Sequence, residues 1–209
     1  MAQEANKYFH GTKLNFDSFE YSYMDTNRFN TGLDAYGPGF YFASEVQTAE
    51  GFAYPEGWIW ELNSPSGNFI TESTPIRQFS EDIYKSIIKS SSNVFTFYQD
   101  MGNDVDPGGD YDYDSPLTDE QYENIGGDSV IDYIYEEIIS RSNSAIDFLH
   151  NIWSELYKDN SGDWVRNVNK SGIDGYVVNL QGEKYLVLYN SSIANSSIRK
   201  KYTYKEPSR

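Results

Sequence analysis

The heptapeptide GPGFYFA, at residues 37–43, is the stretch from which the fold can be worked out. Two glycines around a proline favour a turn, and the aromatic residues that follow favour a short strand. Alternation along that strand sends Tyr41 to one face of a sheet and sends Phe40 and Phe42 to the other face. The stretch therefore predicts a turn that leads into a strand, with one tyrosine presented apart from its neighbours.

A helix is predicted directly after this strand. Ser44 is followed three residues later by Gln47, which is the spacing of a capping box. Val46, Ala49 and Ala53 then recur at helical spacing and share one face. The pattern predicts a short helix that is capped by the Ser44 side chain.

Further strands are predicted towards both ends of the chain. Residues 8–10 (YFH) suit a first strand, and residues 58–62 (WIWEL) are rich in residues that favour strands. Residues 175–179 and 184–189 flank a Gln-Gly pair, which is a pattern typical of a hairpin. The basic tail from Arg199 is predicted to be frayed.

The middle of the chain is predicted to be helical with acidic loops. Apolar residues recur at helical spacing in three segments, which follow candidate caps at Ser80, at residues 128–129 and at Ser144. We therefore expect residues 1–209 to form a single α+β domain. Within that domain, residues 64–163 form a helical acidic insertion between the N-terminal and C-terminal strand regions.

The composition excludes several classes of protein. The 209 residues include no cysteine, which excludes a disulfide framework, a thiolate nucleophile and a zinc site built on cysteine. No apolar run approaches the roughly 20 residues that a membrane span needs, and the polar residues 1–7 lack the apolar core of a secretory signal. These features lead us to expect a protein of a reducing compartment that does not enter a membrane.

The net charge and the aromatic content exclude further classes of protein. A formal net charge of −16 repels phosphate backbones, so a nucleic-acid partner is not expected. Aromatic residues make up 17% of the chain, which is too much bulky apolar surface for a disordered acidic protein. The same charge leaves open a non-enzymatic alternative, an acidic interaction protein that mimics DNA and binds basic partners.

Three short clusters contain residue types suited to binding and chemistry. His10 beside Gly11 can present an imidazole where the main chain approaches a ligand closely. The ring of Tyr41 can stack on a planar, positively charged heterocycle such as nicotinamide. Glu183, at the mouth of the predicted hairpin, can accept a ribose hydroxyl and stabilise an oxocarbenium cation. Each cluster also has a purely structural interpretation. His10 would then be a turn residue that binds nothing, Tyr41 would pack in the core, and Glu183 would be a solvent-exposed charge in a turn.

Taken together, the order and spacing of these clusters resemble the core of ADP-ribosyltransferases of the His-Tyr-Glu class. That core is shared by poly(ADP-ribose) polymerases and diphtheria-like toxins, and the resemblance is closest to the small versions in phage and bacterial polyvalent proteins and toxins. The motifs that carry the resemblance are YFHGT at 8–12, YGPGFYFA at 36–43 with Ala49 downstream, Asp174-Gly175, and EKYLVLYN at 183–190 with Ile193. The resemblance does not extend to the predicted insertion.

The resemblance implies an α+β fold with a split mixed or antiparallel sheet, NAD as co-substrate and no metal. His10 would bind the adenine-side ribose, Gly11 the carboxamide, and Tyr41 the nicotinamide ring, while Tyr54 or Phe52 would cover that ring's other face. The implied catalytic residues are Glu183, His10 and Tyr41. The implied NAD-binding residues are His10, Gly11, Thr12, Tyr36, Gly39, Tyr41, Thr48 and Tyr54.

One position departs from the family pattern. The family's glutamate immediately precedes the aromatic-aliphatic strand, whereas here Lys184 occupies that slot and Glu183 lies one residue earlier. A shift of one residue moves a side chain to the opposite face of a sheet, unless a β-bulge or the turn at Gly182 restores it. If Lys184 fills the slot, we expect a transferase with altered chemistry or an NAD binder without activity.

The leading prediction is a mono-ADP-ribosyltransferase that modifies a protein acceptor of a host or target cell and releases nicotinamide. The resemblance favours a phage or bacterial effector that acts in the cytoplasm of a bacterium or of an infected host cell. An NAD glycohydrolase on the same fold and the acidic interaction protein remain as alternatives. The sequence does not determine the acceptor or the oligomeric state.

Overall fold

The computed structural model describes residues 7–23, 37–110, 112, 115–157 and 160–205. The chain divides into two compact units. A sheet unit comprises the described residues of Met1–Thr26, Gly39–Thr71 and Gly172–Arg209, and a helical unit comprises those of Asn27–Pro38 and Glu72–Ser171. The predicted site residue Tyr36 lies outside the described residues.

The sheet unit contains one mixed seven-stranded sheet with the strand order β4-β5-β6-β2-β1-β3-β7. Its strands are β1 (Lys7–Thr12), β2 (Phe40–Ala43), β3 (Glu56–Asn63), β4 (Phe69–Thr71), β5 (Gly175–Leu180), β6 (Glu183–Leu188) and β7 (Ile198–Lys205). Strands β4 and β5 run parallel, and the other neighbouring strands run antiparallel. Helices α1 (Val46–Ala53) and α8 (Ser191–Ser197) belong to the same unit. The α+β class predicted from the sequence is confirmed.

The predicted hairpin at the C-terminal end is confirmed as the pair β5 and β6, in which Leu180 lies opposite Glu183. The two turn residues between them, Gln181 and Gly182, have φ angles of 51° and 90°. Both are therefore left-handed, as the two central residues of a type I′ hairpin turn must be.

The two faces of the sheet pack against different partners. On one face, a large cluster contains the buried residues Tyr8, Phe19, Phe40, Phe42, Trp60, Leu62, Leu186, Leu188 and Ala194. On the other face, Phe9 packs against Ala49 and Ala53 of α1 and against Ile59 of β3. Tyr8 and Phe9 are neighbours in β1 and point to opposite faces, as alternation along a strand requires. Each large side chain buried in this way contributes about 1.5–3 kcal/mol to folding.

The prediction that the basic tail frays is wrong for its described residues, 199–205. Strand β7 pairs with β3 along its length, from Lys205 opposite Glu56 to Ile198 opposite Leu62. The pairing is stabilised because Tyr202 and Tyr204 pack against the apolar cluster that includes α1. Alternation along β7 places Lys201, Thr203 and Lys205 on the face opposite Tyr202 and Tyr204.

The predicted capping box at Ser44 is also wrong. Helix α1 begins at Val46, its N-cap is Glu45, and the Glu45 side chain makes no capping hydrogen bond. Ser44 instead extends the pairing of β2 with β6: its N–H donates to the Lys184 carbonyl oxygen at 2.9 Å, and its hydroxyl accepts from the Lys184 N–H at 3.2 Å. The backbone pairing therefore continues one residue beyond β2, to the residue where the local pattern predicts a helix cap.

The helical character predicted for the middle of the chain is confirmed. The helical unit contains α2 (Glu81–Lys89), α3 (Val94–Asp100), α4 (Asp119–Ile125), α5 (Asp128–Ser140), α6 (Ala145–Leu156) and α7 (Ser161–Lys170). Helix α2 packs against α5, and α5 packs against α6. The core between them includes the buried residues Ile87, Ile88, Ile134, Ile138, Phe148, Leu149 and Ile152. Among the described helices, none is both long and apolar enough to span a membrane.

The predicted caps have mixed outcomes. Ser144 caps α6, because its hydroxyl accepts a hydrogen bond from the Asp147 N–H at 3.2 Å. Ser80 is the N-cap residue of α2, but its side chain makes no capping bond. The cap predicted at residues 128–129 is wrong by one residue, since the N-cap of α5 is Gly127.

The ends of the helical unit differ from those of the predicted insertion at 64–163. Residues 64–71 belong to the sheet unit and contain β4. At the other end, the helical unit continues through α7 to Ser171. Phe69–Thr71 belong to the sheet because β4 pairs in parallel with β5.

Candidate functional site

The junction between β1 and β2 lies at the centre of the sheet and joins the His10 ring to the main chain of Tyr41, while the rings of these two predicted site residues lie on opposite faces. In the described strands, the ladder between them consists of one residue pair, Phe9 opposite Ala43. Beyond this pair, the His10 imidazole supplies the connection, because its Nδ1 lies 2.8 Å from the Tyr41 carbonyl oxygen. A carbonyl oxygen can only accept, so Nδ1 carries the proton and Nε2 of the neutral ring is left as an acceptor.

The imidazole of His10 is set among aromatic side chains. The centroid of its ring lies between 5.2 and 6.0 Å from the rings of Phe16, Phe19, Phe42 and Trp60. This burial lowers the pKa of His10 below its usual value of 6.5, and the hydrogen bond to the Tyr41 carbonyl opposes the effect. The ring is therefore neutral at pH 7.

The side chain of Tyr41 lies on the sheet face that carries α1. Tyr41 is opposite Val187 of β6, and Val187 is in turn opposite Tyr176 of β5. Because paired residues share a face, Tyr41 and Tyr176 lie on the same side of the sheet, and their hydroxyl oxygens are 3.1 Å apart. Because Tyr176 is buried, this hydrogen bond fixes the outer end of the half-buried Tyr41 ring.

Glu183 shares a sheet face with Tyr41, and Lys184 does not. Glu183, Tyr185 and Val187 alternate along β6, and Val187 is opposite Tyr41. Lys184 points to the other face and is exposed. The pairing of β5 with β6 is regular, so the turn at Gly182 sets this orientation without a β-bulge.

Three donors hold the Glu183 carboxylate, two from the start of α1 and one from β6. The Thr48 hydroxyl donates to Oε2 at 2.8 Å, and the Tyr185 hydroxyl donates to the same oxygen at 3.0 Å. The Glu45 N–H donates to Oε1 at 3.1 Å. Glu183 thus accepts a hydrogen bond at the N-terminus of α1, where an anion is favoured.

The two predicted glycines stand at points of very close packing. A Cβ atom on Gly11 would lie 1.7 Å from the Ala49 carbonyl oxygen of α1. A Cβ atom on Gly39 would lie 2.3 Å from a methyl group of Val187. Packing alone therefore requires glycine at both positions, whether or not a ligand binds there.

The remaining predicted residues are placed differently. Thr48 contacts Glu183, whereas the Thr12 hydroxyl accepts from the Leu14 N–H at 3.2 Å. Tyr54 follows the end of α1 and is 49% exposed. Among the described contacts, none joins Thr12 or Tyr54 to the other predicted site residues.

The sequence-based prediction missed two tyrosines, Tyr176 and Tyr185, which hydrogen-bond to Tyr41 and Glu183. The sequence could have indicated Tyr185, because a residue two positions after Glu183 along a strand lies on the same sheet face as Glu183. Asp174 and Asn190, which lie in two of the motifs that carry the resemblance, have a structural role here. Asp174 accepts from the Asn68 N–H and from the Asn190 amide, and the Asn190 side chain caps α8.

The described residues contain no group of three or more histidine, cysteine, aspartate or glutamate side chains arranged to hold a metal ion. Comparison of the chain with models of protein families, with curated proteins and with solved structures gives no match. The arrangement of Tyr41, Glu183 and His10 is therefore the basis for assigning a function to this chain.

Proposed function

We propose that this protein is a mono-ADP-ribosyltransferase that transfers ADP-ribose from NAD to a protein acceptor and releases nicotinamide. The observation that supports the proposal is the placement of Tyr41 and Glu183 on one sheet face, with His10 hydrogen-bonded to the Tyr41 carbonyl. An aromatic ring, a fixed carboxylate and a neutral imidazole are the three groups that this reaction needs.

The chemistry that these groups would perform is the exchange of one bond at the nicotinamide ribose. The bond between C1′ and the nicotinamide nitrogen breaks, and its electron pair leaves with nicotinamide. A lone pair of the acceptor then forms the new bond at C1′, and the acceptor loses its proton to solvent. A cation develops at C1′ between the two steps, and the Glu183 carboxylate would stabilise it.

The two other residues would bind rather than react. Nicotinamide carries a positive charge in NAD, so its ring would stack favourably on the electron-rich face of Tyr41. The unprotonated Nε2 of His10 would accept a hydrogen bond from a ribose hydroxyl. Gly11, next to His10 in β1, would contact the carboxamide through its main chain.

The proposal is tested by incubating the protein with NAD labelled in its adenylate part and with a bacterial lysate. We expect the wild type to transfer label to a protein. His10→Ala and Tyr41→Ala should abolish this transfer, and Glu183→Gln should lower its rate by about 100-fold or more. Tyr133→Ala and Glu120→Gln are matched controls, because both residues are exposed and lie in the helical unit.

The alternatives give different outcomes in the same assay. Free labelled ADP-ribose without a labelled protein would identify an NAD glycohydrolase, in which water is the acceptor. If the folded wild-type protein consumes no NAD, the enzymatic proposal is wrong. Capture of basic proteins by such an inactive chain would then support the acidic interaction protein.

A further inference from the structure

We infer that Thr48 and Tyr185 are positioning residues that fix the Glu183 carboxylate so that its Oε1 atom faces the substrate. This inference rests on the proposed function, because it assigns a role relative to the reaction at C1′. It adds one residue, Tyr185, that is not among the predicted catalytic and NAD-binding residues. It also gives Thr48 a role different from direct contact with NAD.

The hydrogen bonds in the structure leave one acceptor position of the Glu183 carboxylate open. A carboxylate offers about four lone-pair positions, two on each oxygen. Oε2 already accepts from the hydroxyls of Thr48 and Tyr185, and Oε1 accepts from the Glu45 N–H. Among the described residues, the one remaining position is therefore on Oε1.

The donors to the carboxylate are carried by two different elements, α1 and β6. Thr48 is carried by α1, whose distance from β1 is set by the contact of Gly11 with the Ala49 carbonyl. Tyr185 is carried by β6 and lies opposite Ala43 of β2. Rotation of the carboxylate would break bonds to a helix and to a strand at once.

The Tyr185 hydroxyl is held in its donor form. Burial is the main cause that raises the pKa of Tyr185, and the hydrogen bond to the Glu183 carboxylate raises it further. The phenol therefore keeps its proton at neutral pH and continues to donate to Oε2. A carboxylate oriented during folding needs no reorientation when the cation forms, which is the advantage of a preorganised site.

The experiment measures nicotinamide release from NAD by the full chain, as kcat and KM, in Thr48→Val, Thr48→Ser and Tyr185→Phe. Valine and phenylalanine remove the donor with little change of shape, and serine keeps it. We expect kcat to fall about tenfold in Thr48→Val and in Tyr185→Phe, with KM for NAD unchanged and with Thr48→Ser close to wild type. Thr203→Val and Tyr133→Phe are the controls, since both residues are exposed.

A double variant separates positioning from a purely structural role. In a Glu183→Gln background, Thr48→Val should cause no additional loss, because Thr48 acts through the carboxylate.

Several results would overturn the inference while leaving the proposed function intact. One is an active wild type with unchanged kcat in Thr48→Val and Tyr185→Phe. Another is a raised KM with unchanged kcat, which would show that Thr48 contacts NAD directly. A wild type that releases no nicotinamide would instead refute the proposed function, and the positioning role with it.

Discussion

The imidazole of His10 donates its Nδ1–H to the main-chain carbonyl oxygen of Tyr41, across the junction where β1 meets β2. The two residues are thus joined by a side chain and a backbone group, while their rings lie on opposite faces of the sheet. Phe9 and Ala43 form the residue pair of the adjacent ladder. A ligand that contacts both rings must therefore reach across this junction.

The burial of His10 makes folding stability depend on pH. The pKa of His10 is lowered in the folded protein, and its value in the unfolded chain is near 6.5. Below pH 6.5 the unfolded state therefore binds the proton more readily than the folded state, and the free energy of unfolding falls. For one titrating group, the slope cannot exceed about 1.4 kcal/mol per pH unit.

Urea denaturation between pH 7.5 and 5 checks this prediction by comparing the wild type with His10→Gln. The many carboxylates of the chain titrate in both proteins, so only the difference between the two curves reports on His10. We expect the stability advantage of the wild type to shrink as the pH falls through 6.5. Parallel curves across this range would contradict the burial argument.

The close approach of Gly11 to α1 predicts that Gly11→Ala is strongly destabilising. The added methyl group would meet the Ala49 carbonyl oxygen at 1.7 Å, so the helix or the strand would have to move. Such overpacking costs about 1–3 kcal/mol or more. Gly51→Ala is the matched control, because Gly51 lies within the same helix and a methyl group there meets no atom within 4 Å. In urea denaturation, the free energy of unfolding of Gly51→Ala should exceed that of the wild type by about 0.5–1 kcal/mol. Equal changes in the two variants would show that the close contact of Gly11 with α1 does not determine stability.

The two serine caps predicted from the sequence should respond differently to alanine. Ser144→Ala removes the hydrogen bond to the Asp147 N–H, and we expect it to lower the free energy of unfolding by about 1 kcal/mol. Ser80 occupies the same kind of position on α2 without a capping bond, so Ser80→Ala should change stability by less than about 0.5 kcal/mol. Thermal unfolding of both variants tests the difference, and a larger loss in Ser80→Ala would show that the assigned caps are wrong.

The parts of the fold that could be predicted are those fixed by neighbouring residues. The hairpin of β5 and β6 follows from its Gln-Gly turn, and the strand at Phe40–Ala43 follows from its aromatic run. The cap at Ser144 follows from a hydroxyl next to an apolar helical pattern. In each example, the energy that determines the structure comes from groups within a few residues.

The parts that could not be predicted depend on distant partners. The local pattern at Ser44 matches a capping box, but the hydroxyl accepts from Lys184, which is 140 residues away in the chain. Strand β4 is three residues long and exists because β5 pairs with it. The network around Glu183 similarly joins α1 to β6. Bonds of this kind leave no periodic signal in the sequence.

The orientation of β6 predicts opposite outcomes for two adjacent residues. Glu183 shares its face with Tyr41 and is held by Thr48, whereas the side chain of Lys184 is exposed on the other face. In the proposed function, Glu183→Gln should therefore lower the rate of nicotinamide release by about 100-fold or more, and Lys184→Ala should leave the rate within about twofold. Glu183→Gln keeps the shape and polarity of the side chain, and circular dichroism of each variant checks that the protein is folded. A Lys184→Ala variant that loses activity while Glu183→Gln keeps it would show that the lysine, at the position of the family's glutamate, is the residue that acts on NAD.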